Sequence, residues 1–301
     1  LSSNPRSSPA VAPPKTMINL LDYTLPELTD WMQNELGEPK FRAVQVWQWI
    51  WQKMARDFDA MTNVSKACRE RLAQCAEIRW PEIVTVEQSS DDTTKFLLRL
   101  QDGAEVETVL IPSDSREGVR RWTQCLSSQV GCAMACTFCS TGTMGFERNM
   151  TMGEILGQIL VAREHLGDTR PDWPVLRNLV FMGMGEPLDN YDNVLAVLEI
   201  LTSPWGMAWS PTRITLSTAG ITPRLEQLIE ATKVHIAVSL HNPFHDQRAE
   251  IMPVEKAYPI RELTDMLRRH DFSGQRRLSF EYILMEGLND TVAHIRELRR
   301  L

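Results

Sequence analysis

The sequence lacks the features that mark several classes of protein. No apolar run approaches the ~18 residues of a membrane span. Glycine and proline number only 15 and 17 in 301 residues, which excludes collagen-like and low-complexity chains. Basic residues do not predominate: 32 Lys and Arg stand against 39 Asp and Glu, a net charge of -7. The chain therefore has no global electrostatic footprint for nucleic acid, and any RNA contact must be local.

The first residues also lack an apolar stretch that could serve as a secretory signal. Residues 1–16 are rich in serine and proline, and we expect them to form a disordered lead. A cytoplasmic protein is therefore predicted. The length of 301 residues predicts about two domains, since domains average ~150 residues.

Cysteine is unevenly distributed. Four of the six cysteines crowd between Cys125 and Cys139, and no cysteine follows Cys139. In a reducing compartment such crowding indicates a metal site rather than a disulfide framework. The other two, Cys68 and Cys75, lie two turns apart on one apolar helical face and are interpreted as buried core thiols.

Residues 17–80 have a helical pattern and form the first predicted domain. Thr24-Leu-Pro-Glu27 is a capping box, and a helix is predicted over Phe41–Met54. Its periodicity places Trp47 and Trp51 in the core. Trp49 points elsewhere, and base stacking and a structural role both remain open for it.

Residues 81–121 change to a period of two and predict a β-hairpin between the domains. Lys95–Leu100 and Val106–Ile111 flank the turn dipeptide Asp102-Gly103. Alternation puts Glu107 on the same face as two apolar side chains, so partial desolvation would raise its pKa toward that of a general base. An exposed strand charge is the other interpretation, and the residues alone favour it.

Residues 122–301 alternate apolar strands with amphipathic helices. Five βα units predict an α/β fold with a parallel sheet, either open or barrel-like, and a ligand site at the carboxyl ends of the strands. The predicted strands are Gln124–Val130, Asn178–Met182, Arg213–Ser217, His235–Leu240 and Leu278–Leu284. The predicted helices are Met152–His165, Asn193–Thr202, Thr222–Ala231, Ile260–His270 and Thr291–Arg300.

Three cysteines directly follow the first of these strands. Cys132, Cys136 and Cys139 have spacings of three and then two intervening residues. Three thiolates can hold a [4Fe–4S] cluster by three irons and leave the fourth iron open, whereas a structural zinc ion would need a fourth ligand nearby. With Phe138 before the third cysteine, the motif resembles that of the radical S-adenosylmethionine (SAM) superfamily.

Polar or glycine-rich segments end the next three strands. Met182-Gly-Met-Gly185-Glu186-Pro187 resembles the superfamily's glycine–glutamate element, which binds the amino group of SAM. Ser217 ends the third strand, and Ser239-Leu240-His241 ends the fourth. These groups suit contacts to a ribose or a carboxylate, and simple strand-terminating polarity explains them equally well.

Taken together, the motifs resemble one family, the RlmN dual-specificity methyltransferases. The resemblance runs from about Met17 to Leu301 and is carried by Cys125–Cys132, Cys139-Ser-Thr-Gly, Gly145–Asn149, Gly183–Pro187, Leu216–Gly220 and Ser239–His241. It implies a partial (β/α)6-type radical SAM barrel after a small helical domain. It also implies methylation of carbon 2 of adenine 2503 in 23S rRNA and of adenine 37 in tRNA.

The resemblance further implies a mechanism with two molecules of SAM. One methylates a cysteine near the C-terminus, and the second yields a 5′-deoxyadenosyl radical that activates this methyl group for addition to adenine. The implied cluster ligands are Cys132, Cys136 and Cys139; the implied SAM-binding residues are Gly185, Glu186, Ser217, Ser239, Leu240 and His241. Glu107 matches the proton acceptor, and Cys125 matches the cysteine that resolves the protein–RNA adduct by forming a disulfide.

One feature departs from the family pattern. The methyl-carrying cysteine has no counterpart after Cys139, so we expect an incomplete copy of a longer protein that cannot complete a turnover by itself. A carbon-8 methyltransferase similar to Cfr and a noncatalytic iron–sulfur RNA-binding protein are the alternatives. Implied partners are the two RNAs and an electron donor such as flavodoxin. Candidate local phosphate contacts, for which solvated charge is equally plausible, are Lys40, Arg42, Arg116, Arg120 and Arg121.

Overall fold

The computed structural model describes residues 17–114, 118–168, 175–274 and 276–301. The predicted disordered lead and Arg116 lie outside these ranges. None of the helices within them is long and apolar enough to cross a membrane.

The N-terminal part is a small helical unit closed by a short parallel strand pair. Its elements are β1 (Ile18–Asn19), α1 (Leu25–Leu36), α2 (Lys40–Trp51), α3 (Lys66–Cys75) and β2 (Ala76–Glu77), with β1 pairing β2. The predicted capping box is confirmed, since Thr24 and Glu27 cap each other at the start of α1.

The tryptophans of α2 divide as the periodicity predicts. Trp47 and Trp51 are buried and meet edge to face at 5.7 Å between ring centroids. Trp49 is half-buried: its Nε1 donates to Asn63 Oδ1, and the Lys53 ammonium lies 3.9 Å from its ring centroid. Helix α2 is shorter than predicted, because it ends at Trp51.

The two cysteines of α3 have different environments. Cys68 is buried, as predicted, and burial together with nearby Glu38 raises the pKa of its thiol to about 11. Cys75 is only half-buried at the end of the helix, where its Sγ lies 3.2 Å from the carbonyl oxygen of Arg71. The prediction of a buried thiol is therefore wrong for Cys75.

An antiparallel meander follows, with strands β3 (Glu82–Gln88), β4 (Thr94–Arg99) and β5 (Glu105–Asp114). The predicted hairpin is confirmed as β4 and β5, but it does not stand apart as a linker, because β5 pairs with the first barrel strand, β6 (Arg120–Cys125). Strand β3 was not predicted; all of its residues are exposed, so it carries no alternation of buried and exposed positions.

The barrel strands begin with β6, which ends at Cys125 instead of Val130. Gln129–Gly131 instead forms β7 and pairs with β8 (Phe146–Asn149) in a separate two-stranded sheet. The chain leaves the main sheet at Ser127, whose backbone N–H and C=O both bond to the side chain of buried Gln158. These bonds satisfy the backbone groups that a continuing strand would have paired.

The remaining elements complete the predicted βα series. They are α4 (Ser140–Met144), α5 (Met152–His165), β9 (Leu176–Phe181), α6 (Tyr191–Thr202), β10 (Ile214–Thr218), α7 (Thr222–Ala231), β11 (His235–Ser239), α8 (His245–Ile251), α9 (Ile260–Leu267), β12 (Leu278–Glu281) and α10 (Val292–Leu298). The predicted helices at α5 and α7 match residue for residue.

The main sheet has eight strands in the order β12-β11-β10-β9-β6-β5-β4-β3. Strands β6 and β9 to β12 are parallel to one another, and β5 to β3 extend the β6 edge in antiparallel pairing. The predicted α/β fold with five parallel strands is confirmed. The carboxyl ends of these strands meet at one end of the sheet, where a ligand site is expected.

Candidate functional site

A pocket of about 360 Å³ opens at the carboxyl ends of the parallel strands. It brings together predicted residues from four segments that are far apart in sequence. Those that line it are Cys132, Cys136, Cys139, Gly185, Glu186, Ser217, Ser239 and His241. Leu240 is buried beside the pocket but does not line it, and Glu107 and Cys125 lie outside the lining as well.

The three cysteines lie on the loop between β7 and α4. The loop turns tightly: Cys139 N–H donates to the carbonyl of Cys136 at 3.1 Å, and a Cβ on Gly142 would lie 2.8 Å from that oxygen. Burial raises the pKa of the Cys132 thiol and, with the neighbouring thiols, raises that of Cys136 to about 12. Uncompensated thiolates are therefore disfavoured here until positive charge arrives.

The described residues contain no group of three His, Cys, Asp or Glu side chains arranged around a single ion position. A cubane cluster does not require one, because each thiolate binds a different iron. The donor set of three thiols lining one pocket, with hydrophobic Phe138 and Met134 beside them, fits such a cluster. Among the described residues no such side chains surround one position in the way that a structural zinc site requires.

The loop after β9 requires its glycines for close approach. Gly185 has a φ of +97°, and a Cβ there would lie 2.5 Å from Cβ of Gln129. A Cβ on Gly183 would lie 2.7 Å from the carbonyl oxygen of Leu126. Gln129 Oε1 accepts from the N–H of Glu186 at 2.8 Å. The Gly183–Pro187 loop is therefore held directly against the strand that leads to the cysteines.

Glu186 is a buried carboxylate with partners inside the protein. Its Oε1 accepts from Leu188 N–H at 3.0 Å and Thr218 Oγ1 at 2.7 Å, and its Oε2 accepts from Ala219 N–H at 2.7 Å. A carboxylate has about four acceptor positions, so one remains on Oε2 for a ligand. Burial raises the pKa of Glu186 to about 7 despite these hydrogen bonds. A cationic group of a ligand would therefore stabilise the ionised form of Glu186, which burial alone disfavours.

The two predicted serines share a carboxylate that sequence reasoning missed. Ser217 Oγ donates to Glu281 Oε2 at 2.6 Å, and Ser239 Oγ donates to the same oxygen at 3.2 Å. Glu281 ends β12 and lines the pocket. Because both hydroxyl protons point to Glu281, the serine lone pairs are left to accept from a ligand hydroxyl. The sequence did offer a signal for Glu281, because it is a carboxylate at the end of the fifth parallel strand.

His241 is held in one orientation at the pocket wall. Its backbone has a φ of +53°, its ring meets Phe138 edge to face at 5.0 Å, and its Nδ1 accepts from Ile283 N–H at 3.2 Å. Burial lowers its pKa to about 4, so the ring is neutral at pH 7. With Nδ1 accepting, the proton lies on Nε2, which makes His241 a hydrogen-bond donor.

Arg248 is a second residue that sequence reasoning missed. It is fully buried and donates to the carbonyls of Ala219, Ser239 and Leu240 at 2.8–2.9 Å, with Glu255 as its ion-pair partner. It thereby fixes the ends of β10 and β11, where the serine and histidine groups stand. The sequence gave no indication of this role, because Arg248 lies in α8, a short segment made mostly of polar residues.

Glu107 and Cys125 lie together next to the pocket rather than in it. Val109 pairs with Cys125 across β5 and β6, so Glu107, two residues away, is on the same face of the sheet. The Cys125 thiol accepts from Met182 N–H, and burial raises its pKa to about 11. The Glu107 N–H points to Met184 Sδ at 3.4 Å, so both residues adjoin the loop that carries Gly185.

The expected desolvation of Glu107 is not found. Its side chain is 47% exposed and pairs with Lys95 Nζ at 3.1 Å. The apolar neighbours predicted from alternation do not cover it, because Ile111 is itself exposed and Val109 is only half-buried. In this structure the carboxylate is an exposed strand charge, the interpretation that the residues alone favoured.

The candidate RNA-contacting cations differ in their surroundings. Arg120 bonds to Asp92 and Asp114, and Arg42 pairs with Glu38 at 3.5 Å. Lys40, at the start of α2, is exposed. The two arginines therefore carry charges that are partly neutralised by neighbours.

Comparison with known proteins agrees with this geometry. Residues 18–78 match the family model described as the ribosomal RNA large subunit methyltransferase N-terminal domain, and residues 126–299 match the radical SAM superfamily. The crystal structure of a radical SAM methyltransferase from Sphaerobacter thermophilus superposes with a TM-score of 0.83 at 40% identity. The match covers 94% of this chain and 81% of that one.

Sequence relatives extend the comparison. The dual-specificity RNA methyltransferase RlmN of Nitratidesulfovibrio vulgaris (strain DSM 19637 / Miyazaki F) is 60% identical over 285 residues, which is 95% of this chain and 78% of the relative. The RlmN of Lawsonia intracellularis is 49% identical over 95% of this chain and 80% of the relative.

The fold and the pocket with its three cysteines define a radical SAM enzyme, a class whose members use SAM and an iron–sulfur cluster. Within that class, the chain belongs to the RlmN family of RNA methyltransferases.

Proposed function

We propose that this chain is the radical SAM methyltransferase of carbon 2 in adenine 2503 of 23S rRNA and adenine 37 of tRNA. The observation that carries the proposal is the convergence of three thiols, Glu186, two serines and His241 in one pocket, with Glu107 and Cys125 beside it. The names of relatives up to 60% identical support RNA as the substrate.

Cys132, Cys136 and Cys139 would hold a [4Fe–4S] cluster, which supplies the electron for reductive cleavage of SAM. Glu186 would accept from the SAM ammonium through its remaining Oε2 position. Ser217, Ser239 and Glu281 would bind ribose hydroxyls, and His241 would donate from Nε2. The backbone at Gly185 would border SAM. Leu240, buried behind the pocket wall, would support the site by holding Ser239 and His241 in place.

Glu107 and Cys125 have the roles of proton acceptor and resolving thiol in the proposal. Glu107 is exposed beside the pocket, where an RNA base can reach it. Since burial raises the pKa of Cys125 to about 11, the thiol stays protonated and unreactive at neutral pH until a base removes its proton. Cys125 is not part of a disulfide in the structure, so its thiol is available to form one.

The test is an anaerobic assay of the reconstituted chain with methyl-labelled SAM, reduced flavodoxin as electron donor, and 23S rRNA or tRNA. It scores 5′-deoxyadenosine and methylated adenine separately, because no cysteine after Cys139 is present to carry a methyl group. We expect deoxyadenosine formation by these 301 residues, and 2-methyladenine when a chain with a downstream cysteine is used.

A matched pair of variants makes the assay specific. Cys132→Ala should abolish iron incorporation and deoxyadenosine formation, whereas Cys75→Ala, at a half-buried cysteine outside the pocket, should leave both unchanged. Methylation at carbon 8 would replace the carbon-2 assignment. Absence of SAM cleavage in a chain that holds its cluster would contradict the proposal as a whole.

A further inference from the structure

Ser127 lies at the junction between the SAM pocket and the Glu107–Cys125 pair. Strand β6 ends at Cys125, which pairs with Val109 of β5. Two residues further along each segment, the same antiparallel register would put Ser127 opposite Glu107. The ladder stops before this point, because the backbone of Ser127 bonds to the side-chain amide of Gln158 instead. The backbone groups of Glu107 therefore find other partners on this side of β5.

The hydroxyl of Ser127 takes the place of the missing strand. Its Oγ donates to the carbonyl of Glu107 at 2.6 Å and accepts from the N–H of Met184 at 2.9 Å. The Glu107 N–H in turn points to Met184 Sδ at 3.4 Å. Since Ser127 is fully buried, water does not compete for these hydrogen bonds. One hydroxyl thus bridges the backbone at Glu107 and the glycine-rich loop that carries Glu186.

The same loop also contacts the Cys125 thiol. Gly183 N–H donates to the carbonyl of Leu126 at 3.0 Å, and a Cβ on Gly183 would lie 2.7 Å from Ser127 Oγ, so the loop packs directly on this segment. Met182, which precedes Gly183 and lines the SAM pocket, donates its N–H to the thiol of Cys125. Movement of the loop away from Ser127 would therefore also open the surroundings of Cys125.

We propose that Ser127 is a positioning residue that holds the SAM-binding loop against Glu107, so that the ammonium-binding carboxylate, the proton acceptor and the resolving thiol keep fixed relative positions. Ser127 does not line the SAM pocket, so it acts through these backbone groups and not on SAM itself. The inference rests on the proposed function for the roles of Glu107 and Cys125. The hydrogen bonds that carry it are independent of those roles.

The next residue in the chain offers a matched control. Ser128 is as deeply buried as Ser127, but its Oγ has no hydrogen-bond partner among the described residues. Ser127→Ala and Ser128→Ala therefore each remove one buried hydroxyl, and of the two only Ser127→Ala removes the bonds to Glu107 and Met184. Met184→Leu is a second probe, because it nearly conserves volume but removes the sulfur to which Glu107 N–H points.

The experiment uses the 301-residue protein reconstituted anaerobically with its cluster. Alkylation by iodoacetamide is followed from neutral to alkaline pH, and tandem mass spectrometry identifies the modified peptide position at Cys125. Calorimetry measures SAM affinity, and circular dichroism checks that each variant is folded. Because burial raises the pKa of the Cys125 thiol to about 11, we expect slow alkylation of the parent at neutral pH.

Ser127→Ala should admit water to the thiol and shift its alkylation profile to lower pH, with roughly tenfold faster reaction at neutral pH for each unit by which the pKa falls. The same variant should bind SAM roughly tenfold more weakly, the usual effect of losing one hydrogen bond. Ser128→Ala should match the parent in both measurements. Met184→Leu should change both in the same direction as Ser127→Ala by a smaller factor.

Equal Cys125 reactivity in the folded Ser127→Ala variant and in Ser128→Ala would overturn the inference. If Ser127→Ala does not fold, Met184→Leu decides, and parent-like reactivity at Cys125 in that variant has the same consequence. A parent protein that holds its cluster but neither binds nor cleaves SAM would contradict the proposed function instead. The alkylation measurement needs no SAM, so the two failures are distinguishable.

Discussion

At the scale of single residues, the SAM pocket depends on carboxylates whose oxygens are largely engaged by the protein itself. Glu186 is fixed by Leu188, Thr218 and Ala219, and Glu281 collects the hydroxyls of Ser217 and Ser239. Each carboxylate is thus set in one orientation before a ligand arrives, which reduces the entropy lost on binding.

The raised pKa of Glu186 predicts that SAM binds better as pH rises from 5.5 to 7.5. With a pKa of about 7, Glu186 is mostly protonated at the lower pH and mostly ionised at the upper one, where it can pair with an ammonium group. The gain in affinity should be on the order of tenfold. His241, with a pKa of about 4, stays neutral throughout this range and contributes nothing to the change.

Calorimetric titration of the protein with SAM across this pH range measures the effect. The SAM amino group remains largely protonated there, since α-amino groups titrate near ~7.7–8.0. A flat profile, or affinity that falls as pH rises, would show that Glu186 does not bind the ammonium group.

Glu281→Gln is expected to weaken SAM binding by about 1.5–3 kcal/mol, the range for hydrogen bonds to a charged group. The amide cannot accept both serine protons through one charged oxygen, so the Ser217 and Ser239 hydroxyls lose their orientation. Equilibrium binding of SAM measures the loss. Glu286→Gln, at an exposed position shortly after β12, should bind as the parent does, and an equal loss in both variants would refute the assignment.

At the scale of elements, the ends of β10 and β11 are held by a side chain from a neighbouring helix. Arg248 on α8 donates to carbonyl oxygens at these strand ends, and Glu255 balances its charge. Glu255 in turn accepts from Ile260 N–H, at the start of α9, at 2.9 Å. This hydrogen-bond network couples two strand ends to two helices.

Arg248→Met should destabilise the protein by about 3–5 kcal/mol, since it leaves Glu255 as a buried charge without its ion-pair partner. Urea denaturation at pH 7 measures the free energy of unfolding. Arg224→Met, at an exposed arginine on α7, serves as the control and should change it little. A variant at Arg248 as stable as the parent would show that the network adds no stability.

At the scale of the whole molecule, the helical unit and the barrel meet along α5. Asp22 Oδ1 accepts from Gly153 N–H at 3.0 Å, and a Cβ on Gly157 would lie 2.3 Å from Cδ of Pro81. On the other side of the contact, Arg56 Nε donates to Glu164 Oε1 at 2.8 Å. The two glycines make this approach possible, because any side chain on them would hold the units apart.

Gly157→Val should therefore loosen the contact and lower stability by roughly 1–3 kcal/mol, the usual cost of overpacking. Thermal unfolding and limited proteolysis near Pro81 measure the two effects. Gly274→Ala, where an added Cβ meets nothing within 4 Å, is the control. Unchanged melting and protease resistance in Gly157→Val would mean that the contact at Pro81 adjusts without cost.

Some parts of the fold are set by residues that are neighbours in sequence, and others are set by long-range pairing. Helices α5 and α7 match the prediction to the residue, since local features mark where each begins: a capping box at Thr151 for α5 and a proline in the first turn of α7. Strand β3 was missed because its residues are exposed on an edge. The first barrel strand is predicted at Gln124–Val130 but lies at Arg120–Cys125. Gln129–Gly131 is also extended but pairs in another sheet, and only long-range contacts decide in which sheet an extended segment pairs.

The sequence by itself determined the order of βα units and the chemistry of the cysteine and glycine–glutamate segments. These depend on spacing along the chain, which is fixed before folding. Tertiary structure alone decided that Glu281 accepts from both serines, that Arg248 fixes the strand ends and that Glu107 is exposed. Each depends on groups separated by at least eight residues, whose proximity and burial arise only when strands and helices pack.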